Sequence, residues 1–211
     1  MTDWEKLEAF GNVPVDIALL KSCFSDYASP SGKVEELCRN GLLLRARRGL
    51  YVVAPRVSRK PVSAFLIANH LYGPSYISFE TALEYHGMIP EAVHETRSAT
   101  TCRAKEYDAG LGRFSYYRVP DTYFRVGIMM AGAGDEHYLI ASPEKALCDL
   151  LMLTNGLRVQ SARAMHDYLE NFLRVDMDIL AGFDTEIVME CIETGRKKDT
   201  IRQLLEVIKH G

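Results

Sequence analysis

The stretch from residue 29 to residue 53 changes its periodicity at Gly41, and this change limits the possible folds more than any other feature. Ser29-Pro30 is a good helix start, because serine caps the first turn and proline fits the first helical position. Apolar side chains then recur at helical spacing up to Gly41, a residue type that ends helices. After Gly41, two β-prone runs surround the basic turn Arg47-Arg48-Gly49, which predicts a β-hairpin.

The segment before Ser29 predicts two further helices. The first covers residues 3–10, with Trp4 and Leu7 on its inward side, and the second covers residues 13–24, with Leu19 among its core positions. Helix, helix, turn, helix and hairpin is the order of a winged helix-turn-helix. In that class the last helix enters the major groove of DNA, and a basic hairpin tip lies along the phosphates or in the minor groove. We therefore predict a winged helix-turn-helix over residues 1–57.

The distribution of charge agrees with this prediction. Between Lys33 and Lys60 there are eight basic and two acidic residues, so this segment carries +6 and the rest of the chain −9. A basic face on an acidic body favours a polyanionic partner, here double-stranded DNA. The candidate DNA contacts lie on the exposed side of the third helix and on the hairpin: Ser31, Lys33, Glu36, Arg39, Asn40, Arg45, Arg47 and Arg48. A solvated charged surface and a winged helix used for protein contacts remain open as alternatives.

Residues 58–211 predict an α+β domain with a small antiparallel sheet flanked by helices. Ser78 and Ser142-Pro143 predict helix starts, and residues 55–61 predict either a linker or a crossing from the wing to the next helix. The predicted strands are 98–106, 114–119, 124–130 and 137–140, and the predicted helices are 62–72, 78–86, 142–153, 159–173, 184–194 and 198–209. We expect the two parts to separate by function near residues 55–62, so that a fragment of residues 1–60 binds DNA weakly.

Nothing in the sequence predicts catalysis, a cofactor or a metal. The five cysteines form no C-x-x-C pair, and the charged N-terminus and short apolar runs predict a cytoplasmic protein without membrane spans. Lys145 is interpreted as an exposed or bridging charge, and the tyrosines between residues 107 and 123 as sheet packing. The other reactive side chains are interpreted as structural or solvated: His86, Glu91, His94, Glu95, Glu144, Cys148, Asp149 and Asp167.

Three stretches resemble one known family. Residues 33–52 resemble the winged helix at the front of AbiE-type antitoxins, the abortive-infection regulators of type IV toxin–antitoxin systems. Residues 72–91 are similar to the segment that opens the C-terminal domain of that family, and residues 141–151 resemble a later helix. The residues after about 160 match only loosely.

The resemblance implies a repressor of its own operon that recognises inverted repeats, and an antitoxin that counters a nucleotidyltransferase-like toxin without a tight complex. One departure concerns charge: residues 61–211 are acidic overall, whereas the family has a basic surface there. Two alternatives stay open. One is a one-component regulator whose C-terminal domain senses a small ligand, and the other is a nucleic-acid-processing enzyme that uses the winged helix for docking.

Overall fold

The computed structural model describes residues 2–134 and 136–210. The chain is α+β, as predicted, and its buried apolar side chains fall into two clusters. The smaller cluster is built only from residues up to Val57, and the larger one mainly from residues after it.

The N-terminal part has short helices around a small antiparallel sheet of strand order β1-β3-β2. Its elements are α1 (Asp3–Glu8), β1 (Val15–Asp16), α2 (Ile17–Cys23), α3 (Pro30–Arg39), β2 (Leu43–Arg47), β3 (Leu50–Val53) and α4 (Pro55–Ser58). The predicted start of α3 is confirmed: the Ser29 hydroxyl accepts a hydrogen bond from the Gly32 N–H at 3.2 Å, with Pro30 in the first turn. The predicted hairpin is also present, with Arg48 and Gly49 as its turn.

Two N-terminal predictions are wrong, and a third is wrong in part. The second helix begins at Ile17, because Val15 and Asp16 pair with β3 and the Asp16 carboxylate caps α2. Trp4 is 41% exposed and Leu19 is 54% exposed, since the short helices α1 and α2 each turn only one narrow side inward. Of the two expectations for residues 55–61, the linker is wrong, because the segment contains the helical turn α4, whose Val57 is fully buried in the smaller cluster; the segment crosses from the hairpin to the next helix.

The C-terminal part contains a larger sheet and most of the helices. Its elements are α5 (Ala64–Leu71), β4 (Ser75–Ile77), α6 (Phe79–Tyr85), β5 (Glu95–Thr100), β6 (Lys105–Ala109), β7 (Gly112–Arg118), α7 (Asp121–Phe124), β8 (Ile128–Ala131), β9 (Tyr138–Ala141), α8 (Pro143–Leu153), α9 (Ala162–Asp167) with a π-helical continuation (Tyr168–Phe172), α10 (Met177–Ala181), α11 (Thr185–Thr194) and α12 (Lys198–His210).

The sheet of the C-terminal part has the strand order β6-β7-β5-β4-β9-β8 and is mixed. The prediction of an antiparallel sheet is therefore wrong for two strand pairs, because β5 runs parallel to β7 and β4 parallel to β9. For β5 and β7 the reason is the strand between them in sequence: β6 lies antiparallel to β7 on its outer side, so β7 runs beside β5 in the same direction. The predicted strand 98–106 is interrupted after Thr100, and Phe124 lies in α7.

Helices cover both faces of this sheet. On one face the Tyr116 hydroxyl donates a hydrogen bond of 2.6 Å to the Ala68 carbonyl of α5, and on the other the Tyr76 hydroxyl bonds to Asp149 of α8 at 2.9 Å. The Ser142 cap of α8 is as predicted, with Pro143 in the first turn. No helix in the described ranges has the length and apolar character needed to cross a membrane.

Strand β3 joins the two parts, because both of its faces are buried. Successive side chains of a strand point to opposite faces. Tyr51 and Val53 belong to the smaller cluster, whereas Leu50 and Val52 belong to the larger one, together with Ala46 of β2. Helix α5 packs on this second face of the hairpin, and β2 also contacts β6. The N-terminal part therefore shares buried surface with the rest of the chain.

Candidate nucleic-acid interface

Helix α3 presents a polar side to solvent at the edge of the molecule. Val34 and Leu37 are 1% exposed and fix the helix on the smaller cluster. The opposite side is exposed and carries Ser31, Glu35, Glu36, Arg39 and Asn40. Of the predicted contacts on α3, Ser31, Glu36, Arg39 and Asn40 therefore face solvent. Side chains of these types can hydrogen-bond base edges and phosphates.

Lys33 lies differently from the other candidates, because its ammonium group is held inside the N-terminal part. It contacts an Asp3 carboxylate oxygen at 2.8 Å and a Glu36 carboxylate oxygen at 3.0 Å, over the Tyr27 ring at 4.8 Å. The hydrogen bond to Asp3 and the one to Glu36 raise the pKa of Lys33. Its charge is thus compensated within the chain. The same contact gives Glu36 a partner, which the sequence alone did not identify.

The hairpin carries Arg45, Arg47 and Arg48, all exposed. A register shift between Arg45 and Arg47 turns Ala46, which is 3% exposed, into the larger cluster. The Arg45 guanidinium lies 5.8 Å from the centre of the Tyr51 ring, and Arg47 donates to the Arg48 carbonyl at 3.5 Å. Strand β2, which carries Arg45 and Arg47, also contacts β6, so the hairpin lies against the C-terminal part.

A cleft of about 470 Å³ separates α3 from the hairpin. Its lining consists of Glu35, Cys38 and Arg39 of α3 and of Arg45 and Tyr51 of the hairpin. The groove therefore has one guanidinium group on each side, Arg39 on α3 and Arg45 on the hairpin, and the Glu35 carboxylate on the α3 side. Guanidinium groups in such an arrangement can form paired hydrogen bonds to phosphate oxygens.

Part of the basic segment has intramolecular roles. Arg56 donates to the Asn40 carbonyl at the end of α3, and Arg59 pairs with Glu8 at 3.2 Å. Lys60 also has a partner within the chain. Arg39, Arg45, Arg47 and Arg48 form no ion pair with any residue of the described ranges, and we call them the four open arginines. Within residues 33–60, these are positive charges that form no ion pair in the described ranges and can contact a polyanion.

Several residues considered for metal binding or catalysis have other contacts in the fold. Glu91 pairs with Arg174, whereas His94 is exposed, and no cluster of metal-ligating side chains occurs in the part of the chain that the structure describes. The His86 ring bonds the Ala141 carbonyl at 2.8 Å, and Cys148 is fully buried.

The interpretation of Lys145 as an exposed or bridging charge is wrong in its exposure. Lys145 and Asp149 are both fully buried and form an ion pair of 3.1 Å one turn apart on α8. Asp149 also accepts hydrogen bonds from Tyr76 and from Ser78, whose hydroxyl lies 2.5 Å away and makes no capping bond to α6. Lys145 donates to the Tyr123 carbonyl at 3.0 Å. This network connects the sheet to α8.

No protein-family model matches this chain, and no curated protein matches it either.

Proposed function

We propose that residues 2–57 form a winged helix-turn-helix that binds double-stranded DNA, and that the protein is a transcriptional repressor. The observation that carries the proposal is the combination of topology and open charge. Helix α1, strand β1, helices α2 and α3 and the hairpin follow one another in the order typical of winged helices, with β1 on the far side of β3 from β2. All four open arginines lie on α3 and the hairpin.

In this proposal α3 enters the major groove and the hairpin lies along the backbone. Arg39, on the exposed side of α3, forms hydrogen bonds to base edges or to a phosphate. Arg45 contacts a phosphate from the other side of the cleft. Arg47 and Arg48 contribute affinity without sequence preference, as phosphate contacts do. Lys33 contributes little, because Asp3 and Glu36 already hold its charge.

The resemblance of residues 33–52, 72–91 and 141–151 extends the proposal to the class of repressor. We infer an AbiE-type regulator in the bacterial cytoplasm that represses its own operon at inverted repeats and counters a nucleotidyltransferase-like toxin without a tight complex. The C-terminal part has no catalytic role in this proposal.

Selection of bound duplexes from a randomised pool tests the DNA-binding part. The wild-type protein is expected to enrich one motif, and Arg39→Ala is expected to relax preference at one or two positions, at a cost of about 1–3 kcal/mol per lost base contact. Arg202→Ala is the matched control, because Arg202 is an exposed arginine on α12 far from α3 in sequence. No enrichment by the wild-type protein would overturn the proposal.

The antitoxin part needs a separate experiment. A nucleotidyltransferase-like toxin from a neighbouring gene is expressed from an unrelated promoter, with or without this protein. Protection by the Arg47→Ala, Arg48→Ala variant at full strength would show an antitoxic activity beyond repression. No protection by the wild-type protein would refute the antitoxin role and leave the repressor proposal standing.

A further inference from the structure

A second charged cleft lies in the C-terminal part, on the α8 side of the large sheet. It encloses about 180 Å³ where β7 ends, next to the last turn of α8 and the turn between α11 and α12. Tyr117, Arg118, Met152, Asn155 and Arg196 are among its lining residues. The cleft therefore combines an apolar wall with two guanidinium groups and an amide.

The charge in this cleft is opposite to the net charge of the C-terminal part. Residues 61–211 contain 15 basic and 21 acidic side chains. Arg118 and Arg196 are nevertheless exposed without an ion pair to any residue in the described ranges. A third cation, Arg97, has its guanidinium carbon 4.7 Å from the centre of the Tyr117 ring and forms an ion pair with Glu80. The Glu80 carboxylate therefore already has Arg97 as its partner.

The turn that carries Arg196 is fixed in place. The neighbouring Lys197 donates to the carbonyls of Leu151 and Thr154, which belong to the C-terminal end of α8. Helix C-termini carry partial negative charge, and the Lys197 ammonium compensates it at this end of the cleft. Phe79, which also lines the cleft, has φ +56, a left-handed conformation that bulky residues rarely adopt and that is enriched at ligand sites.

We propose that this cleft binds a small organic anion. One phosphate or carboxylate group bonds both Arg118 and Arg196, and an apolar body packs against Tyr117 and Met152. The volume of the cleft is smaller than that of pockets that enclose drug-sized ligands, so the proposed ligand is either smaller than these or partly exposed to solvent. Occupancy would make the C-terminal part the sensor of a ligand-responsive regulator, the alternative that the sequence left open. Binding in this cleft does not depend on the proposed DNA binding.

Titration of the full chain with phenyl phosphate, followed by amide NMR, tests the proposal. Saturable shifts are expected at Tyr117, Arg118 and Asn155. The double variant Arg118→Gln, Arg196→Gln is expected to bind about tenfold more weakly or worse, because charge-assisted hydrogen bonds are lost. Arg163→Gln is the matched control, since Arg163 is exposed and lines a different cleft on α9.

Further probes separate the sources of the anion. Benzoate in place of phenyl phosphate shows whether a carboxylate suffices, inorganic phosphate shows whether the apolar body contributes, and benzyl alcohol is expected not to bind. The proposal is overturned if none of the anions shifts these amides in the wild-type protein. It is also overturned if Arg163→Gln weakens binding as much as the double variant does. Both arginines of the double variant are exposed, and an unchanged thermal midpoint confirms that it folds.

Discussion

A fragment of residues 1–60 should be mostly unfolded, although the sequence alone predicts a DNA-binding unit there. Truncation removes everything that covers the second face of the hairpin, where Leu50 and Val52 are 6% and 0% exposed and Ala46 is 3% exposed. Full burial of a leucine or valine side chain contributes about 1.5–3 kcal/mol, so these two side chains lose roughly 3–6 kcal/mol. The core of so short a chain rarely supplies more than about 3–5 kcal/mol. The loss therefore equals or exceeds the stability that the fragment has.

The same shared face predicts that the full chain unfolds as one unit. Trp4 is the single tryptophan and lies in α1, so its fluorescence follows the N-terminal part alone, whereas far-UV circular dichroism follows the whole chain. The two thermal transitions should coincide, and Val52→Ala should lower both together. A fragment 1–60 with a dispersed amide NMR spectrum and a cooperative transition would refute this reasoning. A Trp4 transition separate from the circular dichroism transition would refute it as well.

Two further predictions concern the buried network. Asp149→Ala should lower the free energy of unfolding by about 3–5 kcal/mol, because it leaves the fully buried Lys145 charge without its partner. The matched control Asp199→Ala breaks an exposed ion pair and should lower it by less than about 1 kcal/mol. Equal effects of the two substitutions in urea melts would contradict the assignment. Burial, and next the nearby Asp149 carboxylate, hold the pKa of Tyr76 and of Tyr123 well above the usual value near 10, so the stability that these neutral hydroxyls contribute is present below about pH 10 and is lost as the pH rises further. Tyrosinate absorbance should show both rings ionising only as the chain unfolds, and their ionisation in the intact fold near pH 10 would contradict this.

The elements that the sequence predicts well are those with local causes. The starts of α3 and α8 follow from the serine–proline pairs at Ser29 and Ser142, and the hairpin follows from alternation around a basic turn. Strand β4 is only three residues long, too short for its own periodicity. The mixed strand order depends on pairings between distant segments, which no local pattern encodes.

The candidate interface shows the same division. The exposure of Arg39 follows from helix periodicity, and that of Arg48 from its place in the hairpin turn, whereas the exposure of both Arg45 and Arg47 depends on the register shift between them. The partner of Lys33 is Asp3, thirty residues earlier in the chain, so only the folded structure brings the two charges together. Lys145 and Asp149 have the spacing of an exposed helix pair, and their burial follows from how α8 packs on the sheet.

Binding of the full chain to a labelled duplex over a series of salt concentrations measures the proposed interface most directly. The wild-type protein should bind with an affinity that falls steeply with salt. In the Arg47→Ala, Arg48→Ala variant, the plot of log K against log salt should be less steep by roughly one to two units, since each lost phosphate contact accounts for about 0.9. The matched control, Arg158→Ala with Arg163→Ala, removes two exposed arginines of the C-terminal part and should leave the slope unchanged. Salt-independent binding by the wild-type protein, or the same slope for the wild-type protein and the hairpin variant, would contradict DNA recognition by α3 and the hairpin.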